Sequence, residues 1–124
     1  MVYLDTHLVL WLYAGSLDLI SKEVLRAIEE DELYISPIVE LELQYLKEIR
    51  KIKKSPSEIT EALRREINLK VCVKDFHSII RESLSVHWTR DPFDRIIVAH
   101  ASLNNNTLLT KDDSIRGHYK HAVW

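Results

Sequence analysis

The chain has 124 residues and a formal net charge of -2 at pH 7; 46% of its residues are hydrophobic and 29% are charged. These values are typical of a folded globular domain and exclude a disordered chain, and the longest apolar run is too short to span a bilayer. Cys72 is the only cysteine, which excludes an internal disulfide and a cysteine-rich zinc site. No basic and apolar leader precedes the first predicted strand, so we expect one cytoplasmic domain over residues 1–124 without membrane contact.

Short apolar runs alternate with helical patterns along the chain. The runs predicted to be strands cover residues 2–4, 33–35, 69–73, 107–110 and 122–124. The segments predicted to be helices, which have apolar spacing and carry Ser, Asp, Pro, Gly or Asn at their ends, cover residues 6–14, 22–28, 37–53, 57–67, 76–84 and 92–103. This alternation predicts the α/β class, with a parallel sheet of four to five strands and helices on both faces.

The third predicted helix carries one acid that is expected to point inward. Its apolar residues recur at helical spacing and define a stripe of Ile38, Leu41, Tyr45, Leu46, Ile49 and Ile52. At about 100° per residue, Glu42 lies roughly 40° from Ile38, whereas Glu40 lies about 160° away. We therefore predict that Glu42 faces the interior and Glu40 faces solvent. The alternative role for Glu42 is an internal ion pair with an arginine.

The helix predicted from residue 92 is apolar almost all round, which is typical of a helix buried between other elements. Asp91 suits its N-cap and Pro92 its first position. Asp94, in the first turn, shares a stripe with Ile97 and Ala101 and is therefore predicted to point inward, where an unpaired carboxylate is costly. The alternative is that Asp91 and Asp94 only cap the helix and complement its dipole.

Four acids are expected at the carboxyl edge of the sheet, because each follows a strand or lies in the first turns of a helix. They are Asp5, Glu42, Asp94 and Asp112. Several ionised carboxylates in one cleft require a cation, and all-oxygen ligands favour Mg²⁺ or Mn²⁺ over zinc. Such ions activate water and stabilise charge on a phosphodiester during hydrolysis. The sequence therefore predicts metal-assisted phosphodiester hydrolysis.

Four segments together resemble the PIN domain, and specifically the VapC toxins of toxin–antitoxin pairs. They are YLDTHLVLWL at 3–12, ISPIVELEL at 35–43, HWTRDPFDRIIVAHA at 87–101 and TLLTKDDSI at 107–115. The resemblance implies a small α/β nuclease, an endoribonuclease that depends on Mg²⁺ or Mn²⁺, that is neutralised by a cognate antitoxin protein and that forms a homodimer. It places the four acids of the family on Asp5, Glu42, Asp94 and Asp112, with Asp5, Asp94 and Asp112 as metal ligands.

Other residues are candidates for supporting roles. Four of them lie next to the acids: Thr6, Asp91, Thr110 and Asp113. Asp113 is an alternative to Asp112 as the fourth acid. The other three could instead serve only as helix caps or turn residues. Candidates for contacts with RNA phosphates are Lys47, Arg50, Lys51 and Arg95. A solvated helix end explains the basic run from Lys47 to Lys51 equally well. The alternative role for Arg95 is an ion pair with a neighbouring acid. His7 and His87 are candidates for substrate contact, whereas His100 and Cys72 are expected in the core.

Other function classes fit the sequence less well. A PIN-like module that binds RNA or protein without turnover is the main alternative, and metal binding distinguishes the two. A receiver domain requires an acceptor aspartate after a central strand near mid-chain, and none stands there. The chain has only 2 glycines, which excludes a glycine-rich loop that binds nucleotide phosphates.

Overall fold

A computed structural model describes residues 1–124 and contains one sheet of five parallel strands. The strands are β1 (Val2–Leu4), β2 (Leu33–Ile35), β3 (Lys70–Val71), β4 (Thr107–Leu109) and β5 (Ala122–Val123), and their order across the sheet is β3-β2-β1-β4-β5. In the pairing of β1 with β4, Leu4 lies opposite Leu109. The next residue of each strand, Asp5 and Thr110, therefore emerges at the same edge. The predicted parallel α/β fold is confirmed.

Seven helices flank the sheet, and each begins after a serine or aspartate whose side chain accepts a backbone N–H bond. The helices are α1 (Thr6–Ala14), α2 (Lys22–Glu30), α3 (Pro37–Glu48), α4 (Pro56–Ile67), α5 (Phe76–Ser83), α6 (Pro92–Ser102) and α7 (Asp113–His118), with a 3-10 turn at Leu17–Leu19. Gly15 and Asn68 end α1 and α4 in the left-handed conformation, as their positions in the sequence suggest. No helix has the length and apolar character needed to cross a membrane.

The core is a single cluster of 23 buried hydrophobic residues that spans the sheet and the helices packed on it. Helix α6 contributes Ile97, Val98 and Ala101 to this cluster, and it contacts α3, α5, β1 and β4. This burial on several sides explains why its sequence is apolar almost all round. Asp94 lies in the first turn of this buried helix.

Helix α3 differs from the sequence prediction in its length and in its buried face. It ends at Glu48 rather than near Lys53, because Arg50 adopts a left-handed conformation with φ 62 and turns the chain away. The predicted apolar stripe is wrong in part: Leu41, Tyr45 and Ile49 are 56%, 50% and 43% exposed, whereas Ile38 and Ile52 are half-buried and pack against the core. The residues of α3 that enter the core are Val39 and Leu43.

Two other helix predictions need correction. Helix α4 begins at Pro56, one residue earlier than predicted, because Ser55 is its N-cap and forms a capping box with Glu58. Helix α7 was not predicted, since six residues are too few to show a helical period. It starts directly after Asp112, which is its N-cap.

Candidate functional site

Asp5 lies at the carboxyl end of β1 and is held by two hydrogen bonds. Asp5 is only 6% exposed. The Thr6 backbone N–H donates to Oδ1 at 2.7 Å, and the Thr110 hydroxyl donates to Oδ2 at 2.6 Å. The Thr110 hydroxyl in turn accepts the Asp112 N–H at 3.1 Å. The ends of β1 and β4 are thus joined through one carboxylate and one hydroxyl.

Glu42 on α3 is connected to the same group through Thr6. The Thr6 side-chain hydroxyl donates to Glu42 Oε1, so one threonine binds Asp5 with its backbone and Glu42 with its side chain. The pKa of Glu42 is raised overall. Burial is the largest cause, the Thr6 hydrogen bond opposes it, and the charge of Asp5 adds to the rise. No arginine pairs with Glu42, which removes the ion-pair alternative.

The inward direction of Glu42 does not come from the predicted apolar stripe. Leu41 and Tyr45, which belong to that stripe, are both exposed. Glu42 is instead half-buried because it lies next to Leu43 and about 60° from Val39, the two residues of α3 that are in the core. Glu40 is also half-buried rather than fully solvated.

Asp94 in the first turn of α6 is half-buried, and its carboxylate forms no hydrogen bond or ion pair with another protein group. Burial is the largest reason why the pKa of its carboxyl is raised to about 7, and nearby negative charges add to the rise. Those charges belong, in order of decreasing effect, to Asp91, Asp5, Asp112 and Glu42. Asp94 therefore lies within electrostatic reach of the other three predicted site acids, no ion pair includes any of the four, and His7 is the basic side chain whose charge acts on Asp5 and Glu42.

The remaining candidate acids cap helices or lie outside this group. Asp91 accepts the Phe93 N–H at 2.8 Å as the N-cap of α6. Asp112 accepts the Ile115 N–H at 2.9 Å, and its charge also raises the pKa of Asp5. Asp113 instead pairs with Arg116, and its side chain is 95% exposed. Of the two neighbouring aspartates, Asp112 is the one associated with the site.

A divalent cation fits the chemistry of these donors, although the side chains are not arranged around one. No three histidine, cysteine or acidic side chains lie close enough together to chelate an ion. The donors are nevertheless all carboxylate oxygens, and Asp94 has no partner for its charge. Oxygen ligands of this kind suit Mg²⁺ or Mn²⁺. A shared ion therefore requires some of these side chains to rotate from the positions described.

The sequence matches the model of the PIN domain over residues 2–120. The chain belongs to the PIN domain family. Its structure resembles the "Toxin-antitoxin complex from Klebsiella pneumoniae", with 18% identity, a TM-score of 0.68, and coverage of 100% of this chain and 97% of that chain.

It also resembles VapBC2 from Rickettsia felis bound to a DNA fragment from their promoter, with 20% identity, a TM-score of 0.65, and coverage of 99% and 96% of the two chains. Comparison with curated protein sequences finds no match. At these identities the structural similarity concerns the fold of this PIN domain.

Two candidate residues of the PIN domain have structural partners of their own. His100 is 2% exposed, its Nδ1 lies 2.9 Å from the Ser36 hydroxyl, and burial lowers its pKa. His100 is thus a core residue, as expected. The Arg95 guanidinium donates to the Ser83 carbonyl at 3.3 and 3.1 Å and pairs with no acid, so it joins α6 to the end of α5.

The other basic candidates of the PIN domain form no ion pairs. Lys47, Arg50 and Lys51 are exposed at the end of α3 and form no ion pair. Lys53 belongs to the same basic run, although it is not among the predicted contacts with RNA phosphates. The structure adds it, because Lys53 lines a pocket with Lys47 and Arg50.

Proposed function

We propose that this PIN domain is a metal-dependent endoribonuclease that hydrolyses RNA phosphodiester bonds. The proposal depends mainly on the hydrogen-bonded chain Thr110–Asp5–Thr6–Glu42, which fixes two carboxylates from separate elements. Asp94 lies near them without any partner. Acids built into a fold at the carboxyl edge of a parallel sheet, where ligands bind, cost stability and therefore favour a functional role.

In this proposal the chain's own residues bind and position. Asp5, Asp94 and Asp112 would hold Mg²⁺ or Mn²⁺, and Glu42 would orient the attacking water by accepting a hydrogen bond from it. Thr6 and Thr110 keep Asp5 and Glu42 in place through the hydrogen bonds described above. When bound, the ion activates water and stabilises the charge that develops on the phosphodiester. Asp91 acts mainly as the cap of α6.

The same proposal includes a protein partner. Both similar structures are described as toxin–antitoxin or VapBC complexes and match this chain over nearly its full length. We therefore propose that the domain is the toxin of a toxin–antitoxin pair in the cytoplasm, neutralised by a cognate antitoxin. Expression of the chain alone should arrest growth, and Asp94→Asn should relieve the arrest. Continued growth with the wild-type chain at the same expression level would contradict the toxin assignment.

A homodimer is proposed from the outer surfaces of α3 and α5. Leu41 and Tyr45 of α3 are 56% and 50% exposed, and Phe76 and Leu84 of α5 are both 67% exposed. Both helices pack against α6, and Leu41 and Phe76 line one pocket. Large apolar side chains exposed in this way are typical of an interaction surface. Light scattering should give twice the chain mass for the wild type and one chain mass for Leu41→Lys. A monomeric wild type at micromolar concentration would show that this surface serves another partner.

The central experiment is cleavage of a pool of structured RNA by purified protein with Mg²⁺, with Mn²⁺ and with EDTA. We expect cleavage only with metal, and a loss of about 100-fold or more in Asp94→Asn, because it removes a charge that acts in the transition state. Asp113→Asn is the matched control, since Asp113 lies outside the acid group. Calorimetry with the metal alone provides a second readout. Neither cleavage nor metal binding would favour a binding module without turnover.

A further inference from the structure

The turn after α3 forms a basic pocket that the acid site does not explain. Lys47, Arg50, Ile52 and Lys53 line a concave space of about 370 Å³. All three cations are exposed, and none takes part in an ion pair. Ile52 is half-buried and packs against the core, so it holds the turn that presents the cations.

The backbone of this turn is well defined. The Lys51 N–H donates to the Leu46 carbonyl at 2.9 Å, and the Arg50 N–H donates to the Lys47 carbonyl at 3.0 Å. These bonds close the end of α3 and keep Lys47 and Arg50 on the same small surface. The three side chains therefore converge on one pocket rather than extending from a disordered basic segment.

Arg50 stands in a conformation that its residue type does not favour. Four residues of the chain have positive φ, and the other three are Gly15, Asn68 and Asn105, the residue types that adopt this region most readily. Arg50, with φ 62, is the exception. A glycine or asparagine would make the same turn at lower cost, so the backbone conformation gives no reason for an arginine at this position.

Neighbouring acids do not neutralise the pocket. Glu48, the acid within the basic run, accepts the Gln44 amide at 2.8 Å and pairs with no cation. Glu58 at the start of α4 feels the charge of Lys47, but its carboxylate is bonded to Ser55 and its ion pair is with Lys54. Lys54 does not line the pocket. The three lining cations remain free to bind an anion.

We propose that this pocket binds a phosphate of the RNA backbone at a distance from the bond that is cut. The identity of the anion rests on the proposed nuclease function, since a polyanion is then the ligand that must be held. Three cations around an apolar side chain can bind a phosphate group, and such a contact does not distinguish one RNA sequence from another. Lys47 lies five residues beyond Glu42 on the same helix, about 8 Å along its axis and on a different face. A bound strand would thus continue past the acids around the end of α3.

The test measures binding of a fluorescent single-stranded oligoribonucleotide in an Asp94→Asn background, so that the probe stays intact. The Lys47→Gln/Arg50→Gln/Lys53→Gln variant should weaken binding and reduce the slope of log K against log salt by about 0.7, because about 0.7 is lost for each phosphate contact with a single strand. The matched control is Lys22→Gln/Arg26→Gln/Lys120→Gln, which changes the same charge at exposed positions elsewhere. The control should keep the wild-type slope.

Several outcomes would overturn the proposal. They are an unchanged slope, an equal loss in the control, or no RNA binding by the Asp94→Asn protein at all. A pocket variant that binds RNA normally but loses binding to polyglutamate would assign the pocket to an acidic protein segment instead. RNA binding through the pocket without any cleavage by the wild type would support the pocket and contradict the nuclease function. Cleavage with an unchanged slope would do the reverse.

A single variant separates binding from stability at the same position. Arg50→Asn places a favourable residue in the left-handed conformation and removes the charge. We expect its melting temperature to equal or exceed that of the wild type, while its RNA affinity falls about threefold or more. A lower melting temperature with unchanged RNA affinity would show that Arg50 has a structural role.

Discussion

Asp5 and Asp94 are two aspartates in the same group of acids, yet the fold treats them in opposite ways. Asp5, between β1 and α1, receives hydrogen bonds from Thr6 and Thr110, which offset in part the rise in its pKa caused by burial, so that its pKa is still raised. Asp94, in the first turn of α6, receives none, and its pKa is raised to about 7. The chain thus builds one carboxylate that is fixed in place and one that is free to change its position and its proton.

In the proposed mechanism, this difference gives the two ends of the site separate tasks. The β1–α1 end is set before any ligand arrives, because its donors come from the backbone and from a neighbouring strand. The α6 end provides the charge that a ligand must satisfy. If the distinction is correct, substitutions at the two ends should change stability in opposite directions while both remove activity.

The largest expected effect on stability is at Asp5. Asp5→Ala removes the N-cap of α1 and leaves the buried Thr110 hydroxyl without its acceptor, so it should lower the free energy of unfolding by about 2 kcal/mol. Asp94→Ala should not lower it, because no bond is lost. Urea denaturation at pH 7.5 measures both. Asp5→Asn is the control, since its amide oxygen still accepts the Thr6 N–H; equal losses in Asp5→Ala and Asp94→Ala would contradict the comparison.

Thr110→Val tests whether the fixed position of Asp5 matters for cleavage. Valine fills the same space but cannot donate to Asp5 or accept from the Asp112 N–H. We expect a loss of about 10-fold in the rate of RNA cleavage, in the range typical of residues that orient metal ligands, with a stability change of about 1 kcal/mol. Thr110→Ser keeps the hydroxyl and should retain most of the activity. A fully active valine variant would show that Asp5 needs no support from β4.

The smallest effect is the pH dependence of the metal-free protein. Asp94 has a folded pKa of about 7, above the ordinary value of 3.8, so between these values the folded chain keeps a proton that the unfolded chain has lost. Linkage then requires the free energy of unfolding to fall as pH rises from about 4 to 7, and to stay low above pH 7. A shift of this size corresponds to about 4 kcal/mol without screening, and because solvent screens the half-buried carboxyl, we expect Asp94 to contribute a loss of about 1 kcal/mol in EDTA. Asp94→Asn should remove this contribution, whereas the contributions of Asp5 and Glu42, whose pKa values are also raised, should stay. A loss of the same size in the variant would place the titrating group elsewhere.

Local residue types were enough to identify most element boundaries. Ser21, Ser36 and Asp91 cap helices, and Gly15 and Asn68 end them, as the sequence indicates. These signals act through bonds to the backbone within a few residues, so they are readable without the fold. The same holds for the alternation of strands and helices, which determined the parallel sheet.

The buried face of α3 could not be obtained in the same way. Its exposed residues Leu41 and Tyr45 are as apolar as its core residues Val39 and Leu43. Periodicity reports that a face is apolar, and a face kept for another molecule has the same pattern as one that packs inside the domain. Only the packing of α3 against the rest of the fold distinguishes them.

The sequence by itself determined the fold class and the set of acids, because both follow from residue types near strand ends and helix starts. The tertiary structure alone decided how each acid is supported. The bond from Thr110 to Asp5 joins residues 105 positions apart, and that from Thr6 to Glu42 joins residues 36 apart. Such pairs depend on the register of β1 with β4 and on the placement of α3 beside α1, which no local pattern records. The lack of a partner at Asp94 is equally a property of the assembled fold.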